Sequence, residues 1–77
     1  MLYVFERIYR KRKQFRFYMK TSSKRKVARF TNNIELAVRL EENYKDFAVR
    51  DIWNIFGVKV RALEVTIDES GYKLGKT

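Results

Sequence analysis

Cysteine and histidine are both absent from this chain. That removes the two devices that most often staple a short chain, the disulfide and the thiolate or imidazole metal site. Only carboxylates remain as metal ligands, a set that suits Mg²⁺ or Ca²⁺ and not structural zinc. No metal and no cofactor is therefore expected. At 77 residues the chain is one domain, and folding buries only about 60–65% of its extended surface. The core must come from a few large side chains. A composition of 45% hydrophobic and 16% aromatic residues supplies them, which predicts a folded rather than a disordered chain.

Residues 1–10 alternate with period 2, which predicts a strand. Residues 11–13 form a charged loop, 14–20 alternate again, Thr21-Ser22-Ser23 punctuates, and 24–30 read as a third strand. Together they predict an antiparallel meander. Its helix-facing side would carry Leu2, Val4, Ile8, Phe15, Phe17, Met19, Ala28 and Phe30. The open side would carry Tyr3, Phe5, Arg7, Tyr9, Arg16, Tyr18, Lys20, Arg25 and Arg29.

The period then changes. Ile34, Ala37, Leu40 and Tyr44 fall at helical spacing, Asn32 and Glu35 have the spacing of a capping box, and Glu35–Arg39 and Glu41–Lys45 are i,i+4 pairs. A helix is expected over residues 33–44. Residues 47–65 read as a β-hairpin, with 47–53 as its first strand, a turn at 54–57 and a bulge between Ala62 and Leu63. The competing reading is a helix-turn-helix, with a first helix at 49–56, a turn at Gly57 and a second helix at 60–65. The β-branched run after Gly57 favours the hairpin.

The expected class is α+β: a small two-layer domain with an N-terminal three-stranded antiparallel meander, one helix and a C-terminal β-hairpin. Residues 1–77 form a single domain, divided as meander 1–30, helical segment 31–46, hairpin 47–68 and tail 69–77.

The net charge of +9 is not spread along the chain. Residues 1–30 hold eleven Lys and Arg against the single acid Glu6, whereas residues 31–77 hold seven against eight acids. Such segregation costs self-repulsion and marks a footprint for a polyanion. Cations meet phosphates and release counterions, and flat aromatics among them can stack on unpaired bases. The candidate nucleic-acid-binding residues are Arg7, Tyr9, Arg10, Lys11, Arg12, Lys13, Arg16, Tyr18 and Lys20, extended by Lys24, Arg25, Lys26 and Arg29. Each of these side chains taken alone is also an ordinary occupant of a pleated, solvated surface. RNA, single-stranded DNA and duplex DNA are not distinguished by this composition, and no base-reading motif points to sequence specificity.

The stretch FRFYMKTSSKRKVARFTNNIELAVRLEENY resembles, in its strand–turn–strand–helix layout, the small sheet-type DNA-binding domains at the N-termini of phage integrases. Within it, KRKVARFTNNIELAVRL corresponds to a basic strand whose short polar end opens a helix. The resemblance rests on layout and assigns no site residue, and YKDFAVRDIWNIFGVKVRALEVTI departs from it.

A second function class is a regulator or inhibitor of a partner protein, by analogy with small accessory proteins of phages and mobile elements. Trp53, Ile55 and Phe56 are its candidate anchors. Edge-strand pairing admits a homodimer. Catalysis is not expected: without Cys or His the common nucleophile–base pairs are missing, and there is no Gly-rich phosphate loop. No signal peptide or membrane span is read, so the expected location is cytoplasmic.

Overall fold

A computed structural model describes residues 1–21 and 27–75, with backbone alone at Lys20 and Thr21. The elements run β1 (Leu2–Arg7), β2 (Phe17–Thr21), β3 (Ala28–Thr31), β4 (Leu40–Glu41), α1 (Glu42–Phe56), β5 (Val60–Asp68) and β6 (Gly71–Leu74). The strands form one antiparallel sheet in the order β3-β2-β1-β5-β6. β1 pairs with β5 along its whole length, from Leu2↔Val65 to Arg7↔Val60. The other flank of β1 is shared: β2 meets it at Glu6↔Phe17, and the short β4 meets it at Leu2↔Glu41 and Tyr3↔Leu40. The domain is α+β, with one helix on an antiparallel sheet and an N-terminal β1-β2-β3 meander.

The helix lies later in the chain than its expected place at 33–44. Residues 33–37 make a turn instead, with Leu36 N–H donating to the Asn33 carbonyl (3.0 Å) and Ala37 N–H to that of Ile34 (3.3 Å). Asn33 Oδ1 accepts from the Glu35 N–H (3.0 Å), a local bond that competes with the helical ladder. The Glu35 carboxylate, expected to cap Asn32, accepts from Tyr72 N–H at 2.8 Å on β6. Arg39 donates to the carbonyls of Ile34, Glu35 and Ala37 and lies over the Tyr72 ring at 3.9 Å. Its side chain thereby closes the turn that a further helical turn would otherwise satisfy. The integrase-like layout fails at the same place, because no helix follows β3 directly.

α1 occupies the whole of the segment 47–53 read as the first strand of a hairpin. Ala48, Val49, Ile52 and Phe56 recur at helical spacing and face the sheet. Gly57 ends the helix in the left-handed region (φ +66°), its N–H donating to the Trp53 carbonyl at 2.9 Å. The helix-turn-helix reading therefore placed its first helix and its stop well, but residues 60–65 form a strand. The C-terminal hairpin is β5–β6, turning at Glu69-Ser70, so part of the expected tail is paired strand. No bulge separates Ala62 from Leu63, since both stay in register with β1. The irregular register lies instead between Tyr18 and Lys20 on β2.

The centre of the sheet is covered on both faces. Tyr3, Phe5, Phe30 and Val60 pack beneath Ile52 of α1. Val4, Phe17, Leu63 and Val65 pack against Ala37, with Ile34 and Tyr72 beside it. This reverses the expected sidedness of β1, whose Tyr3 and Phe5 lie under the helix rather than on an open face. Phe5 and Val4 are both wholly buried, each contributing about 1.5–3 kcal/mol on burial. Among the described residues, no helix is long and apolar enough to cross a membrane.

Candidate functional site

The β1–β2 connection is strapped down at its base while its side chains stay in solvent. Ile8 N–H donates to the Lys59 carbonyl and Arg7 N–H to that of Arg16, both at 3.0 Å. Arg7 Nε donates to the Phe15 carbonyl (2.9 Å). At the tip, Gln14 N–H donates to the Lys11 carbonyl (3.0 Å), and Gln14 Oε1 accepts from Lys11 N–H (2.9 Å). Lys13 holds the left-handed conformation there (φ +75°), as the third residue of a type II turn must. Arg10, Lys11, Arg12 and Lys13 are exposed. None of the four is ion-paired with another described residue.

This loop forms one wall of an open cleft of about 690 Å³. Ile8, Tyr9, Arg10 and Lys11 face Trp53 of α1 and residues 57–59 across it, and among the described residues no Asp or Glu lines it. Tyr9 is 77% exposed and Trp53 47%. Lys59 Nζ lies 5.1 Å from the Trp53 ring centre, in cation–π range. The helix stop at Gly57 creates this arrangement: the left-handed turn ends α1 at the cleft and delivers Lys59 beside the indole. The cleft thus unites the basic loop and Trp53, which sequence reasoning had assigned to competing functions.

The other expected site residues divide. Arg16 is committed to the fold: its Nε pairs with the buried carboxylate of Glu6, and its N–H donates to Asn32 Oδ1 (2.9 Å). Burial raises the Glu6 pKa, but hydrogen bonds from Arg16 and Arg61 and their charges outweigh it, leaving the carboxyl below its ordinary value. Tyr18 packs edge-to-face on Phe30 (5.7 Å) at the border of the helix-side core, not on an open sheet face. Arg7 lines the cleft, but its guanidinium also caps the Phe30 ring at 3.7 Å, and burial lowers its pKa.

Arg29 is exposed on β3, away from the cleft lining. Lys24, Arg25 and Lys26 lie outside the described residues, as does the Lys20 side chain. Of the apolar trio, Ile55 is exposed while Phe56 packs into the core. Lys59 and Ile8 were missed. The Gly57 stop followed by a lysine was the available signal for Lys59.

No known family model, curated protein or solved structure matches this chain.

Proposed function

We propose that this domain binds nucleic acid at the cleft between the β1–β2 loop and the end of α1. One observation carries the reading: Arg10, Lys11 and Lys59 converge with two exposed aromatic rings on a cleft that no carboxylate of the described residues lines. Arg12 and Lys13 extend the same positive surface at the loop tip. Glu41, Glu42, Asp68 and Glu69 lie toward the opposite end of the sheet, by the Leu2 end of β1. The domain acts by binding rather than catalysis, and phosphate contact supplies most of its affinity. The reading keeps the cytoplasmic placement.

Fluorescence anisotropy with labelled single-stranded DNA, duplex DNA and RNA at two salt concentrations tests it. With about five phosphate contacts, log K falls against log[salt] with a slope of about −3.5 on single strands and about −4.5 on duplex. Absence of binding to all three at low salt rejects the reading.

A partner-protein reading is favoured by a different observation. Ile55 and Val27, each more than half exposed, flank a hollow of about 340 Å³ beside the edge strand β3. A partner seated there would be lost on Ile55→Glu, and its binding would change little with salt. The same edge is where a second copy of the chain would pair.

A further inference from the structure

We infer that the cleft takes an unpaired nucleobase at Tyr9 and Trp53, so that the preferred ligand is single-stranded nucleic acid. This rests on the nucleic-acid reading above and narrows it.

Among the described residues, neither α1 nor the centre of the sheet offers a basic surface to a duplex groove. A helix or an exposed β-ribbon must enter a groove to read paired DNA. The one helix is ill suited to this: α1 carries Glu42, Asp46 and Asp51 against Lys45 and Arg50, and its last turn contains no basic residue. The centre of the sheet is covered on both faces, by α1 on one side and by the turn around Ala37 on the other. Among the described residues, Arg10, Lys11 and Lys59 stand around a cleft rather than along a flat face, with Arg29 apart from them on β3.

The rings indicate what enters that cleft. Tyr9 and Trp53 leave large apolar surfaces in water beside Arg10, Lys11 and Lys59. A paired base hides its faces within the duplex stack, whereas an unpaired base offers a face to an aromatic ring. Lys59 already occupies a position over the indole. A base arriving on that ring displaces the ammonium toward solvent, where the phosphate attached to the same nucleotide is its natural partner. The stacking surface and the phosphate contact therefore belong to one nucleotide.

Trp53 is the only tryptophan in the chain, so its emission reports on the cleft directly. The full chain is titrated with a short thymidine oligonucleotide, a blunt duplex of equal length and a polyglutamate peptide, reading anisotropy and tryptophan emission together. The expected result is quenching and tighter binding with the single strand. Tyr9→Ala and Trp53→Ala each weaken it by about 5- to 100-fold, while Trp53→Phe retains most of the affinity. Tyr44→Ala, an exposed ring elsewhere on α1, changes nothing. Tyr9 is the more exposed of the two, so its variant remains informative if Trp53→Ala fails to fold.

Equal affinity for single strand and duplex, with unquenched emission and no effect of Tyr9→Ala, overturns the base site and leaves the phosphate reading standing. No binding to either DNA overturns the base site, and failure of RNA to bind as well overturns the nucleic-acid reading. Quenching and equal affinity with polyglutamate would reassign the cleft to acidic polypeptides.

Discussion

Glu6 and Arg61, on adjacent strands, are joined by two hydrogen bonds, Nε and Nη2 each donating to Oε1 at 2.9 and 2.7 Å. Arg16 holds the other carboxylate oxygen, so one buried acid fastens β1 to β5 and to the entrance of β2. Glu6→Gln removes the charge but leaves the shape. It should cost about 1–3 kcal/mol, read as a lower urea midpoint, with Arg61 free to rehydrate because it is largely exposed.

Acid should reproduce part of that loss. The folded Glu6 carboxyl titrates below its ordinary value, so below about pH 5 the unfolded chain takes up protons that the folded chain refuses. The stability Glu6 contributes is complete above the unfolded-state value and disappears as pH falls through the lower folded value. Asp68, drawn down to about 2 by Lys73 and Ser70, acts in the same direction at still lower pH. The urea midpoint should drop below about pH 5, and Glu6→Gln should flatten the upper part of that drop.

Lys13 is an L-residue in the left-handed region at the tip of the basic loop. Lys13→Gly relieves that conformation and loosens the unfolded chain, with a net stabilisation of about 0.5–1 kcal/mol. The same change removes one exposed cation, so the salt slope of nucleic-acid binding should become shallower by about 0.7–0.9. Denaturation and anisotropy on one protein sample check both.

Two glycines with positive φ should respond differently to alanine. At Gly57 a Cβ meets open space, so Gly57→Ala should cost only about 1 kcal/mol, from the left-handed backbone. At Gly71 (φ +110°) the new Cβ would press on Glu35 Oε1, the atom that accepts from Tyr72 N–H. Gly71→Ala should therefore cost more, about 2–3 kcal/mol, and should free the turn at residues 33–37. Thermal melts of the two variants side by side decide it.

Charge reversal should separate binding from folding. Arg10→Glu/Lys11→Glu alters exposed side chains and should leave stability within about 0.5 kcal/mol, while weakening nucleic-acid binding at least tenfold at low salt. Arg16→Ala should do the opposite, lowering the urea midpoint with affinity near that of the parent, because its guanidinium serves Glu6.

The α+β class and the meander were legible in the sequence because period-2 alternation and short polar breaks survive in β1, β2 and β3. Sidedness was not. An alternating strand shows its inner face only when its other face is in water, whereas β1 is central and covered twice. Tyr3 and Phe5 therefore read as a surface stripe although they are core. The helix was misplaced because the apolar positions of 47–56 fit both periods over so short a window. Meanwhile Ile34, Ala37 and Leu40 mimic a helical stripe that the fold divides between the two faces of the sheet. Lys11, Arg12 and Lys13 were read as a loop, as found, whereas Arg10 was read as strand and belongs to the same loop, which runs from the end of β1 at Arg7 to Phe17. Their meeting with Trp53 depends on a long-range strand pairing, Arg7↔Val60, which no local pattern announces.

β1 has neither a free flank nor a free face, and that governs how motion is partitioned in the molecule. Exchange of the amide of Val4, which pairs with Leu63 and is wholly buried, should require the whole fold to open, so its protection measures global stability. The loop beyond Arg7 exchanges through small local openings, yet it leaves this most protected strand directly and is tied back at Ile8 and Arg16. A ligand held at Tyr9 therefore draws on the same opening equilibria as the core, and occupancy of the cleft should slow amide exchange in the interior of β1 as well as at the loop.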